Sequence, residues 1–295
     1  MIGPLLRTRR LLPRSSANPP GLRRRVRNKL TDLFQYFVAP FADWENERLV
    51  TERIEVRIDG LGAEFDGYRI AFLTDLHISP LVPRWWLDRA VRAALALEPH
   101  LIVLGGDYVD DDPHYVHNVA DVLKPLRAPD GVVGVLGNHD HYVDAQGVRE
   151  QLARAGVREL LNEPMVLTRG GSRLAITGVG DLERDVIDFE RALAGVSPDV
   201  PRIALSHWPD VFAYWPAQQR LDLMLSGHTH GGQAFLPLIG PPYVPSQFGF
   251  RYLARLIREG KRQLYVSRGV GASGVPFRWG SPPELTLLVL APSGS

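Results

Sequence analysis

Ile70-Ala71-Phe72-Leu73-Thr74-Asp75-Leu76-His77 is a short apolar run that opens into a carboxylate and an imidazole. A run of this length, bounded by polar residues, suits a strand buried on both faces. The same design recurs along the chain. Residues 101–104 lead to Gly106 and Asp107, and 132–136 lead to Asn138, His139 and Asp140. Residues 203–205 lead to His207, and 221–225 lead to His228 and His230. Further apolar runs lie at 174–176, 264–266 and 285–290. Ile54, Val56 and Ile58 alternate with Glu55 and Arg57, as a half-buried strand does. Helical patterns fall between several of these runs, at 85–97, 116–126 and 148–155. Strands alternating with helices predict an α/β layered fold with sheets buried between helices. No internal repeat interrupts the pattern, which predicts one domain over 50–292 behind an arm of residues 1–49.

Five strand ends thus release Asp, Asn or His, and in α/β sheets the C-terminal edge is where loops converge on a ligand. Asp75 and His77 are two residues apart, so both side chains can turn to one side as the strand ends. His228 and His230 repeat that spacing with two imidazoles. Asp107 has two oxygens and can bridge two cations. The chain has no cysteine, which excludes disulfides, thiolate metal sites and a cysteine nucleophile. A mixed nitrogen and oxygen set suits Mn, Fe or Zn better than Mg.

Composition is that of a globular protein, with 45% hydrophobic and 23% charged residues. The net charge of +1 hides an asymmetry. Nine bases, from Arg7 to Lys29, precede the first acid at Asp32, which leaves 25 bases against 33 acids in the remainder. A basic arm on an acidic body suits a polyanionic surface. Residues 1–21 mix arginines with Pro4, Pro13, Pro19 and Pro20, the composition of a flexible arm. From Leu22 to Phe41 apolar residues recur at helical spacing, with Arg23, Arg24, Arg27 and Lys29 on the other face. Two roles suit such a helix: lying on an anionic membrane, or packing on the domain. No recognition-helix or base-stacking pattern accompanies it, so nucleic acid is not an expected partner, and no protein partner is evident. No stretch reaches the roughly 18–20 apolar residues of a spanning helix. No apolar region of a secretory signal follows the first arginines. The expected location is cytoplasmic, or peripheral at the inner face of the membrane.

Asp75-Leu76-His77, Gly106-Asp107, Gly137-Asn138-His139-Asp140, His207 and Gly227-His228-Thr229-His230 resemble, in order, the signature of the calcineurin-like metallophosphoesterase superfamily. Residues 264–269 and 282–286 resemble the C-terminal segment of a bacterial branch of it. That branch includes membrane-associated phosphodiesterases and UDP-diacylglucosamine pyrophosphatase-like enzymes. The resemblance covers roughly residues 53–291 and implies a four-layer α/β/β/α sandwich. It implies two divalent metal ions, one held by Asp75, His77, Asp107 and His230, the other by Asp107, Asn138, His207 and His228. It also implies phosphoester hydrolysis by a hydroxide shared between the metals. His139 stays off the metals as the catalytic residue, stabilising the phosphoryl group or protonating the leaving oxygen. Two roles suit Asp140, orienting His139 or bonding within its own loop; His141 is a candidate for the pocket wall; and Arg268 suits either pairing with phosphate or a place in a tight glycine-rich turn.

One feature departs from the superfamily's protein phosphatases, which carry an arginine shortly after the Asn-His pair. Here His141, Tyr142, Val143 and Asp144 follow Asp140. That points away from phosphoproteins and toward a phosphodiester or pyrophosphate, with a lipid-linked or cell-envelope substrate as the leading expectation. A cytosolic phosphomonoesterase or nucleotide phosphodiesterase is the alternative on the same metals. A catalytically silent scaffold would be expected to have lost ligands or His139, and all are present.

Overall fold

A computed structural model of the chain describes residues 7–8 and 48–294, apart from 236–239, 242 and 276. The amphipathic helix expected over 22–41 lies outside the described residues. Apart from a two-stranded pairing of β1 (Arg7–Thr8) with β9 (Ile187–Asp188), the strands form two six-stranded sheets.

In the first sheet the order is β2 (Val50–Ile58), β14 (Glu284–Pro292), β3 (Arg69–Leu73), β4 (Leu101–Leu104), β5 (Val132–Gly134) and β6 (Arg158–Glu159). β3 to β6 run parallel, β14 runs antiparallel to β3, and β2 runs parallel to β14. In the second sheet the order is β12 (Arg255–Glu259), β13 (Arg262–Val266), β11 (Leu223–Ser226), β10 (Arg202–Leu205), β8 (Ser172–Gly178) and β7 (Glu163–Arg169). Its four central strands are parallel, and β12 and β7 are antiparallel edges.

The parallel strands are buried on both faces, which is why they read as unbroken apolar runs. Phe72, Val103, Ile176, Leu205, Leu225 and Leu288 interdigitate between the two sheets. The outer face of the first sheet packs on α1 (Arg84–Ala96), α2 (Asn118–Leu123) and α4 (Ala145–Arg154) through Leu87, Val91, Val119, Val148 and Leu152. α1 begins after Pro83 and buries Trp86, Leu87, Ala90, Val91 and Ala94, a helical stripe. Each large member of such a stripe contributes about 1.5–3 kcal/mol on burial. The outer face of the second sheet packs on α5 (Phe189–Ala192) and α6 (Val211–Tyr214). The four layers, α/β/β/α, are those the resemblance implies. Among the described residues no helix is long and apolar enough to cross a membrane.

Two consequences of this topology matter below. The C-terminal ends of β3, β4 and β5 in one sheet and of β10 and β11 in the other converge on one edge. β14 is antiparallel to β3, so it begins on that edge, and β2 begins there too, with Val50 opposite Glu284.

Candidate metal centre

The loops that leave the converging strands hold an unusual backbone. Asp75, His77, Asp107, His228 and His230 all have positive φ, between 46° and 72°. Non-glycine residues rarely adopt this region, at a cost on the order of 1–3 kcal/mol each. Hydrogen bonds fix it. Asp75 N–H donates to Gly106 O at 2.9 Å, His77 N–H to Asp107 O at 3.1 Å, and His228 N–H to Asp75 Oδ1 at 3.0 Å. The last bond ties the two sheets together. Gly227 allows that approach, since a Cβ there would overlap Asp75 Oδ2 and Thr74 Oγ1.

The side chains released by these loops form two overlapping groups. His77 Nε2 and His230 Nε2 stand 3.0 Å apart, and Asp75 Oδ1 lies 3.9 and 3.5 Å from them. His207 Nε2 lies 3.1 Å from Asp107 Oδ2 and 3.2 Å from His228 Nδ1. Asp107 Oδ2 is also 3.7 Å from His77 Nε2, so this carboxylate stands between the groups. Metal–ligand bonds of about 2.1 Å put neighbouring donors about 3.0–3.4 Å apart on one ion, which is the spacing of these nitrogens. Asn138 begins the short helix α3 (Asn138–Val143), and its buried Oδ1 has no hydrogen-bond partner. An orphaned buried carboxamide oxygen is costly unless something else engages it. His207 Nδ1 lies 2.8 Å from Gly105 O and donates to it, which turns Nε2 toward Asp107 as the atom a cation would take. His77 Nδ1 faces Asp110 Oδ1 at 3.3 Å without forming a hydrogen bond to it. The donor set, its spacing and the orphaned oxygen all fit a pair of divalent cations.

The electrostatics describe a site that needs positive charge. Burial would raise Asp107, yet the imidazoles of His207, His139 and His77 hold it well below the usual carboxylate range. Burial raises Asp75, with Asp107 adding repulsion and His207 opposing. His207 is pushed up to about 10, because Asp107 outweighs burial. Burial and the imidazole of His207 drive His228 well below its ordinary value, and burial and His77 do the same to His230.

His139 follows Asn138 and sits on the wall of a cavity of about 560 Å³ that opens onto Asp107, His228 and His230. Its ring is edge-on to His77 at 4.9 Å, and its backbone N–H donates to Asp107 Oδ1 at 2.9 Å. His139 Nδ1 is 3.0 Å from Asp111 Oδ1 and 3.6 Å from Asp110 Oδ1. Burial would lower His139, but Asp107, Asp111 and Asp110 raise it to about 9.

Contacts separate the readings of three residues. Asp140 does not orient His139. Its carboxylate accepts N–H bonds from Gly137, Asp107, Tyr108 and Val109 at 2.8–3.3 Å, so it braces the loops that carry Asp107 and Asn138. The carboxylate facing His139 is Asp111. His141 is not on the cavity wall, and its Nε2 pairs with Asp185 Oδ2 at 3.1 Å. Arg268 does not reach toward a substrate, being buried with its guanidinium held by Glu284 and Glu52, each at 2.7 Å. Trp208 lines the cavity, its ring centroid 3.8 Å from that of His228.

Sequence reasoning missed other residues around the centre. Tyr142 and Glu183 form one wall of the cavity, with Tyr142 Oη donating to Glu183 at 2.7 Å. Buried Arg278 places Nη2 3.0 Å from His230 Nδ1 while also donating to the carbonyls of Gly271 and Ser281. The run Asp110-Asp111-Asp112, beginning three residues after Asp107, is a sequence signal for Asp111; Glu183 and Arg278 have none.

Known proteins agree with this geometry. Residues 68–232 match the family described as calcineurin-like phosphoesterase. The chain is 36% identical over 227 residues to phosphodiesterase YaeI of Escherichia coli (strain K12), covering 76% of this chain and 82% of that one. It is 33% identical over 230 residues to the uncharacterized metallophosphoesterase YkuE of Bacillus subtilis (strain 168), covering 77% and 80%. It is 34% identical over 254 residues to a Bos taurus protein named transmembrane protein with metallophosphoesterase domain, covering 80% of this chain and 56% of that protein. The fold, the clustered Asp and His donors and these relatives lead to one conclusion: the chain belongs to the calcineurin-like metallophosphoesterase family and is a metal-dependent phosphoric ester hydrolase.

Proposed function

We propose that residues 50–292 form a catalytic unit that hydrolyses a phosphodiester or pyrophosphate bond, in a lipid-linked or cell-envelope substrate. The observation that carries this reading is the cavity over the metal centre. No lysine or arginine is among the described residues lining it, and Glu183 is. A phosphomonoester dianion demands cationic partners beyond the metals, whereas a diester carries a single charge and tolerates this wall. YaeI, similar over most of its length, is itself named a phosphodiesterase.

Asp75, His77, Asp107 and His230 would hold one cation, and Asp107, Asn138, His207 and His228 the other. Mn, Fe or Zn suits these donors. Bound there, such cations supply Lewis-acid stabilisation of the phosphoryl oxygens and lower the pKa of the attacking water. His139, kept protonated by Asp111 and Asp110, donates its proton to the leaving oxygen. Asp140 keeps the Asp107 and Asn138 loops in register through its backbone bonds. Trp208 packs on His228 and limits the motion of that ring.

The test compares bis(p-nitrophenyl) phosphate with p-nitrophenyl phosphate on one purified sample with added Mn²⁺ and measured metal content. A diester preference is the expected result, and a strong monoester preference would overturn the reading.

A further inference from the structure

Nine large apolar side chains are exposed among the described residues, and six of them (Trp85, Phe235, Tyr243, Phe250, Val275 and Trp279) share one edge of the molecule. Trp85 opens α1, just after the loop that leaves β3 with Asp75 and His77. Phe235, Tyr243 and Phe250 lie between β11 and β12, and Val275 and Trp279 lie between β13 and β14. β11 and β13 end on the edge of the metal centre; β12 and β14 begin there. These connections therefore begin and end on that edge. Tyr243 is 73% exposed, Phe250 62% and Trp85 51%. Apolar groups concentrated in this way around one opening mark an interaction surface.

The chain outside the described domain enters at the same place. β2 begins at Val50 beside Glu284, and Val50 N–H donates to Pro283 O at 2.9 Å. Residues 1–47 carry the nine bases that come before any acid, and the amphipathic pattern of residues 22–41. Tyr243 and Val275 belong both to the rim and to the cavity wall.

We propose that this edge is a membrane-docking face, seated on an anionic bilayer with the aromatic rim in the interfacial layer and the basic N-terminal segment alongside. Tryptophan and tyrosine rings favour that layer, and basic segments are drawn to anionic lipid. Docking in this way turns the mouth of the cavity toward the headgroups, where a lipid-linked phosphodiester presents its phosphate. The proposal rests on the lipid-linked reading of the same site.

Flotation of the full chain with phosphatidylcholine vesicles containing ~30% phosphatidylglycerol tests it, because binding scales with the apolar area inserted and the attraction to anionic lipid. The parent chain is expected to float. The double variant Trp85→Ser/Phe250→Ser is expected to lose about fivefold or more of the bound fraction, with hydrolysis of soluble bis(p-nitrophenyl) phosphate unchanged. Brominated lipid should also quench the tryptophan emission of the parent, and Trp279→Phe should remove part of that quenching. A parent chain that stays off the vesicles, as it would if residues 1–47 covered the rim themselves, overturns the proposal. So does a double variant that floats like the parent, or a Trp279→Phe chain quenched as fully as the parent. A chain that docks through the rim but does not cleave lipid-linked diesters sinks the substrate reading and leaves the docking face standing.

Discussion

His207 Nε2 and Asp107 Oδ2 lie 3.1 Å apart, both fully buried, at the junction of the two donor groups. A cation held by these two atoms would take the place of a proton shared between them. With His207 raised to about 10 by Asp107 against burial, the metal-free site holds that proton at neutral pH. A cation must displace it, so affinity should rise with pH below 10, by up to about tenfold per unit for each proton released. The sign for the metal-free fold is opposite. The contact stabilises it fully below the ordinary imidazole value, and the stabilisation is lost as pH rises through about 10. Calorimetric titration of Mn²⁺ at several pH values checks the first claim, and an affinity independent of pH would sink it.

His139→Gln should lower kcat on bis(p-nitrophenyl) phosphate by about 10²–10⁴ while both metals stay bound, as loss of a general acid does. Asp111→Asn should act more mildly. Asp111 helps lift His139 to about 9, so its neutral replacement lowers that value. The protonated form is the active one, so the alkaline limb of the pH–rate profile should move toward lower pH. A reduced rate with an unmoved limb would leave Asp111 a packing role only.

Glu183 accepts from Tyr142 and adds negative charge to the cavity wall. Glu183→Gln should therefore favour substrates with charged leaving groups. Hydrolysis of a nucleoside diphosphate derivative should gain relative to bis(p-nitrophenyl) phosphate by about threefold to tenfold, roughly 1 kcal/mol of screened repulsion. Measured kcat/KM ratios for the two substrates would decide the matter, with an unchanged ratio counting against the wall as a selector.

Arg268 is buried between Glu284 and Glu52. Removing one partner of a buried ion pair costs about 3–5 kcal/mol. Arg268→Met should thus lower the melting temperature markedly while KM for the diester in the folded fraction changes less than about threefold. A large rise in KM at unchanged stability would return Arg268 to a substrate role.

The strands that frame the site were legible because burial on both faces leaves no polar residue in 70–73, 101–104 or 203–205. The edge strands β7 and β12 were not. Their residues are mostly half-exposed, and Pro164 and Arg258 give them the look of loops. α3 escaped because its sequence, Asn-His-Asp-His-Tyr-Val, has no apolar stripe. Candidate ligands were readable from residue type and strand-end position alone. Their neighbours were not, since Asp111 meets His139, and Glu183 meets Tyr142, only through tertiary packing. Asp140 shows how sequence adjacency misleads. It is the third residue of α3, where a carboxylate accepts the N–H that opens the helix, here that of Gly137, and the same carboxylate takes the N–H groups of Asp107, Tyr108 and Val109, so its backbone bonds outweigh its nearness to His139.

Positive φ at Asp75, His77, Asp107, His228 and His230 links two properties that usually vary separately. A glycine at any of the five would relax the torsion and delete a donor atom in the same substitution. Heat resistance and cation affinity therefore cannot be improved independently at these positions. An engineer seeking a hardier enzyme has to leave these loops untouched and work on the helices and edge strands instead.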